Sequence, residues 1–179
     1  MRIVLVAALA LGSAVFASSV TPRPITERAK MADRVVVAQV LSTRTELING
    51  DVRRMVTYTE VLVGDVVKGP SGPGLDRITI TQLGGRHGLW EAHVPGDATF
   101  AVGETALLLL KCSTGPGRCG LVALSEGKVK LIGSDAFIYD LSTKQHTKRP
   151  VAELLTELRA AVAPQQPTPT PTQPAGVTR

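Results

Sequence analysis

His87, Glu91 and His93 stand close together in a stretch rich in glycine and proline. Two imidazoles and a carboxylate are ligands that a zinc-type ion accepts. Two histidines one helical turn apart with a glutamate between them would impose that geometry. This spacing does not, so a metal centre here requires the loop to fold back on itself. Arg86 and Trp90 belong to the same stretch, which makes Arg86, His87, Trp90, Glu91 and His93 the candidate ligand-binding residues. Loops held by a rigid scaffold commonly carry such groups. No paired acids, nucleophile with a base, or set of oxyanion donors is recognisable, so no catalytic residue is assigned. The glycine-rich run at 69–74 lacks the Gly-Lys-Ser/Thr ending of a phosphate cradle, and its prolines remove backbone donors. No cofactor is implied.

The remaining chemistry-bearing residues are Cys112 and Cys119, the only cysteines of the 179-residue chain. Their separation suits a disulfide across a hairpin end, whereas a redox pair more often lies closer together at a helix start. Two cysteines alone make a poor zinc site.

The elements that must position these groups are mostly strands. The stretch 55–68 is rich in β-branched residues and organises the rest. One face carries Thr57, Thr59, Val61 and Val63, the other Val56, Tyr58, Glu60 and Leu62, and Gly64 predicts a bulge or bend. Residues 34–41 form a nearly unbroken apolar strand, covered on one side by the barrel contents and on the other by a helix. Residues 42–51 are polar, and Asn49-Gly50 predicts a turn that makes the two strands antiparallel neighbours. Further strands are expected over 77–83, 105–111, 120–124, 128–132 and 137–141. Residues 84–99 are expected to be irregular. Residues 25–33 predict a short helix capped by Thr26, with Arg28, Lys30 and Arg34 facing solvent. Residues 151–162 predict a second helix, with Val151, Leu154, Leu155, Leu158 and Val162 on its apolar stripe.

The fold expected is mainly β: a small OB-like barrel or curved sheet of five or six strands, with a short N-terminal and a C-terminal helix. Residues 1–17 have the design of a secretory signal, with Arg2, a short apolar run, and Val15 and Ala17 before the cleavage point. Residues 18–163 then form one domain, and 164–179 are a Pro/Thr/Gln-rich tail expected to be disordered. The apolar run is too short for a good membrane span. The expected location is periplasmic or extracellular, and the expected state a monomer. The net charge of +5 is modest, and aromatics are only 3% of the chain. With no basic stripe interleaved with stacking residues, a dedicated nucleic-acid binder is not expected.

Ala32-Asp33-Arg34-Val35-Val36-Val37, Val66-Val67-Lys68-Gly69, Gly84-Gly85 and Phe100-Ala101-Val102-Gly103-Glu104 occur in that order. Together they make the chain resemble exported bacterial β-domain proteins of unassigned function. The pattern also looks like a distant version of the netrin-like, tissue-inhibitor-type OB barrel. In the inhibitor branch an N-terminal cysteine blocks a metalloprotease. Here Ser18 or Ser19 lies near the expected mature start, and that functional residue cannot be carried over. The leading functional expectation is a non-catalytic binding domain whose loops 84–99 and 69–76 offer the surface, for a protein or envelope ligand. The alternatives are a protease inhibitor or protease-associated module, and a metal-dependent enzyme built on His87, Glu91 and His93.

Overall fold

Alternation along two apolar runs divides the interior into two cores. In β1 (Arg34–Leu47) Val35 faces one core while Val36, Ala38 and Val40 face the other. In β6 (Thr105–Cys112) Leu107 and Leu109 join the first, and Leu108 and Leu110 the second. A period of two puts successive side chains on opposite faces of a sheet, so a continuous apolar run needs cover on both. The computed structural model describes residues 23–113, 118–140 and 143–163. The expected signal segment 1–17 and tail 164–179 lie outside the described residues.

The second core fills a closed barrel. β1 pairs antiparallel with β2 (Met55–Lys68), β2 with β3 (Arg77–Leu83), and β6 with both β1 and β7 (Arg118–Leu121). The parallel contact of β3 with β7 completes the ring, which gives the five-stranded OB-like order β1-β2-β3-β7-β6. β2 carries an extra residue at Gly64, between the pairs Val37–Asp65 and Ala38–Val63, which is the bulge the sequence predicts. Of its two faces, the one carrying Thr59 and Val61 turns inward, and both of these are fully buried. Cys112 and Cys119 sit opposite each other on β6 and β7 and are bonded, with S–S 2.07 Å. A loop this short contributes about 2–3 kcal/mol by the chain-entropy argument.

The first core lies outside the barrel, beneath α1 (Ile25–Met31) and α2 (Val151–Val162). Leu154 and Leu158 of α2 are fully buried there. The sheet continues past β6 through β8 (Lys128–Ile132), β9 (Asp135–Asp140) and β10 (Gln145–Pro150).

Several expectations need correction. β1 runs on to Leu47 because the polar residues after Leu41 pair with β2 up to the turn at Asn49-Gly50. α1 ends at Met31, and no side chain caps its start, so Thr26 is not a cap. Arg28 and Arg34, expected in solvent, are buried. β10 was not foreseen, since every one of its residues but Arg149 is exposed and no alternation marks it. The residues 84–99 are not wholly irregular, for β4 (Gly85–His87) and β5 (Trp90–Ala92) form a small antiparallel ribbon.

The stretches 32–37, 66–69 and 100–104 are joints of this fold. Lys68 reaches back to the end of α1, where its ammonium donates to the carbonyls of Ala29 (3.2 Å), Lys30 (2.7 Å) and Ala32 (2.6 Å). That uses all three of its donors on orphan helix-end acceptors. Gly69 has φ +100, and a Cβ there would lie 2.9 Å from both Arg34 Cγ and the Asp33 carbonyl. The Asp33 carboxylate accepts from Lys111 Nζ and from the Cys112 amide, each at 2.8 Å. Gly103 donates its amide to Val40 O (2.8 Å), and Glu104 O accepts from Val40 N (2.9 Å).

Candidate functional site

The ribbon leaves the barrel where β3 ends, and a ladder of threonines seats it. Thr45 and Thr57 face each other across β1 and β2, with their hydroxyls 2.9 Å apart. Thr57 donates to the Gly84 carbonyl (2.8 Å), which leaves Thr45 the donor to Thr57. The Gly84 amide in turn donates to Met55 O (2.8 Å). Gly85 fits over this pair only because it lacks a side chain. Its φ is +124, and a Cβ would come within 2.5 Å of Thr45 Oγ1 and closer still to Thr57 Oγ1.

The five sequence-selected residues are thereby distributed over the ribbon. Arg86 pairs with Glu91 and His87 with Trp90, so consecutive pairs present their side chains on alternate faces. His87 turns back to the barrel, where Nδ1 lies 3.2 Å from the Thr45 carbonyl. A carbonyl only accepts, so the ring donates from Nδ1 and leaves Nε2 outward. Arg86, Glu91 and His93 line a cleft of about 360 Å³ whose opposite wall includes Thr43, Thr45, Thr57 and Thr59. Trp90 and Leu89 form the tip instead, Trp90 58% exposed and Leu89 99% exposed.

His87, Glu91 and His93 are therefore not brought together. Among the described residues no group of three or more His, Cys, Asp or Glu side chains is placed to hold a metal ion. The two loops expected to share one surface are also separated. Residues 69–76 precede β3 and the ribbon follows it, so the strand holds them roughly 20 Å apart. The first loop is tied down by Arg34, whose Nη2 donates to Pro70 O (3.2 Å) and Leu75 O (3.0 Å).

A second cleft, of about 660 Å³, opens on the other side of the segment 97–100, which borders both. Sequence reasoning missed it. It is lined by Phe100, Ser125, Lys130, Phe137, Tyr139 and His146, among others. Phe137 and Tyr139 alternate along β9, opposite Lys130 on β8 and His146 on β10. The two-residue spacing of the aromatics was visible, but their neighbours become visible only once β10 is known. None of Tyr58, Trp90, Phe100, Phe137 and Tyr139 is buried, although Phe100 packs against the barrel core, so no aromatic ring is buried in either core among the described residues, and three of these rings border this cleft.

Buried charge lies on the far side, under α1. Arg28 is 5% exposed and donates to the Glu126 carbonyl, with the Glu126 carboxylate 3.9 Å away. Burial lowers the Arg28 pKa, against the opposing pull of the Glu126 and Asp140 carboxylates. The arginine nevertheless stays charged at neutral pH. Among the described residues no helix is long and apolar enough to cross a membrane. No protein-family model matches the chain, and no curated protein matches it either.

Proposed function

We propose that the chain is an exported, non-catalytic binding domain that engages a protein partner through the ribbon tip. The observation that carries this reading is the pair Leu89 and Trp90, held out in water on a ribbon fixed to the barrel. A large exposed aromatic on a rigid support loses little conformational freedom on binding and suits an anchor role. Export is part of the same proposal. Its support is the signal-like start of the sequence and the Cys112–Cys119 disulfide, which persists in an oxidising compartment. The likeness to exported β-domain proteins and to the netrin-like barrel is consistent with the OB-like strand order. It supplies no activity, because its motif residues are occupied as joints.

Trp90 is the only tryptophan, so its emission reports directly on the tip. Protein carrying Leu89→Ser and Trp90→Ser should lose a partner that the unaltered chain enriches from the exported fraction. That partner, once purified, should shift Trp90 emission to the blue. Equal enrichment by the altered and unaltered chains would sink the proposal.

A further inference from the structure

We infer that the cleft between β8–β10 and the segment 97–100 binds an acidic saccharide, a sugar chain carrying carboxylates. The inference is independent of the ribbon reading and concerns different residues. Its floor is aromatic. Phe137 and Tyr139 project from alternate positions of β9, about 7 Å apart along the strand. Rings that fill no core and lie along an open sheet face form a platform for flat apolar surfaces, and the C–H face of a pyranose is one. The His146 ring borders this floor, tilted 47° to the Tyr139 ring with the centroids 5.0 Å apart.

The wall is polar and partly unsatisfied. Ser125 lines the cleft, and its Oγ, shielded from solvent as the structure stands, has no hydrogen-bond partner among the described residues. A buried hydroxyl without a partner is costly unless a ligand or water supplies one. Sugar hydroxyls both donate and accept, so they can complete it whichever way the Ser125 proton points.

Charge then selects the ligand's sign. The acids at the cleft are already engaged. Glu104 accepts from Lys128 and from the Ala101 amide (2.9 Å), and Asp97 accepts from the Ala98 amide (2.8 Å). Lys128 also stands 4.7 Å from the Phe100 ring centroid, where a ligand cation would otherwise sit. Lys130, in contrast, is exposed and makes no ion pair among the described residues. It lines the cleft beside Phe137, its partner across β8 and β9, with its charge uncommitted. A hydrocarbon chain would leave Ser125 without a partner, and a small inorganic anion would leave the rings uncovered. A carboxylated pyranose uses ring, hydroxyl and ammonium together.

The test is calorimetric titration of the full chain with trigalacturonate, and with maltotriose as the neutral comparison. Trigalacturonate should bind at least about tenfold more tightly than maltotriose, since a charge-assisted hydrogen bond is worth about 1.5–3 kcal/mol. Lys130→Gln, at an exposed position, should lose most of that preference. Tyr139→Ala should weaken both sugars about three- to tenfold. Trp90→Ser should bind as the unaltered chain does. Equal binding of the two sugars, binding of neither, an unchanged Lys130→Gln, or a loss in Trp90→Ser would each overturn the inference. Lys130→Gln decides the matter if Tyr139→Ala does not fold.

Discussion

The helix-covered side of the barrel and its ribbon side use the same kinds of residue for opposite ends. Under the helices, charged side chains terminate on the protein itself. Lys68 finishes α1, Arg34 holds a loop by two carbonyls, and Arg28 reaches across to the turn at Leu124–Gly127. On the ribbon side, Trp90, Leu89, Lys130 and the rings of β9 are turned toward water or into open clefts. Position in sequence does not separate the two sets; what separates them is whether the group's bonding capacity is used up within the fold. Substituting these charged groups on the first side should lower stability and leave recognition intact, and substituting Trp90, Leu89 or Lys130 on the second should do the reverse.

The largest departure should come from Arg28→Ala. Removing it takes away the buried guanidinium that faces the Glu126 carboxylate at 3.9 Å and donates to the Glu126 carbonyl, and breaking a buried pair in this way costs about 3–5 kcal/mol. Denaturant unfolding followed by far-ultraviolet circular dichroism measures it, and Arg28→Met should recover part of the loss by restoring packing. A cost below about 1 kcal/mol would mean that the helix-covered side does not depend on this contact.

Gly85→Ala sharpens the comparison from the other side. Its methyl would have to displace Thr45 and Thr57, and its backbone angle is unfavourable for any side chain. A cost of about 1–3 kcal/mol is expected. It should fall on the ribbon first, visible as faster amide exchange in residues 84–92 while the exchange of β6 is unchanged.

Acid should act on the helix-covered side through Asp33. Hydrogen bonds from Lys111 and the Cys112 amide hold the Asp33 carboxyl below its ordinary pKa. A carboxylate whose folded pKa is depressed stabilises the fold fully above its unfolded pKa of about 3.9, and that contribution disappears as pH falls through the folded value. The unfolding midpoint of the unaltered chain should therefore drop below about pH 4, and Asp33→Asn should show a shallower acid dependence. Parallel curves for the two proteins would remove Asp33 from the explanation.

Trp90→Ser should barely move stability, by no more than about 0.5 kcal/mol, because the side chain is largely in water. It should nonetheless abolish partner enrichment.

Legibility followed the same division. The barrel could be read because burial leaves a pattern. Val35 to Val40, Leu107 to Leu110 and the stripe Leu154–Leu158 each announce how many of their faces are covered. Gly64 announced the bulge. Arg28 was legible and overlooked, for it stands three residues after Ile25 and four before Ala32, on the side of α1 that both of these bury. Its partner Glu126, 98 positions away, leaves no local signal. β10 left none either, because an exposed edge strand has no apolar face to alternate with. The cleft beside it was hidden for the same reason. Arg86, Glu91 and His93 do share a cleft, but the threonines that face them come from β1 and β2, a grouping that only strand register creates.

The aliphatic interior makes the domain optically quiet. With no aromatic ring buried in either core among the described residues and the sole indole at the ribbon tip, melting of the barrel moves no tryptophan from a dry to a wet environment. A thermal scan read at the indole band should look almost featureless while the backbone signal collapses. The same chromophore starts in water, so any partner that covers it produces a signal against a dark background. The domain is a poor reporter of its own unfolding and a sensitive one of what touches its tip.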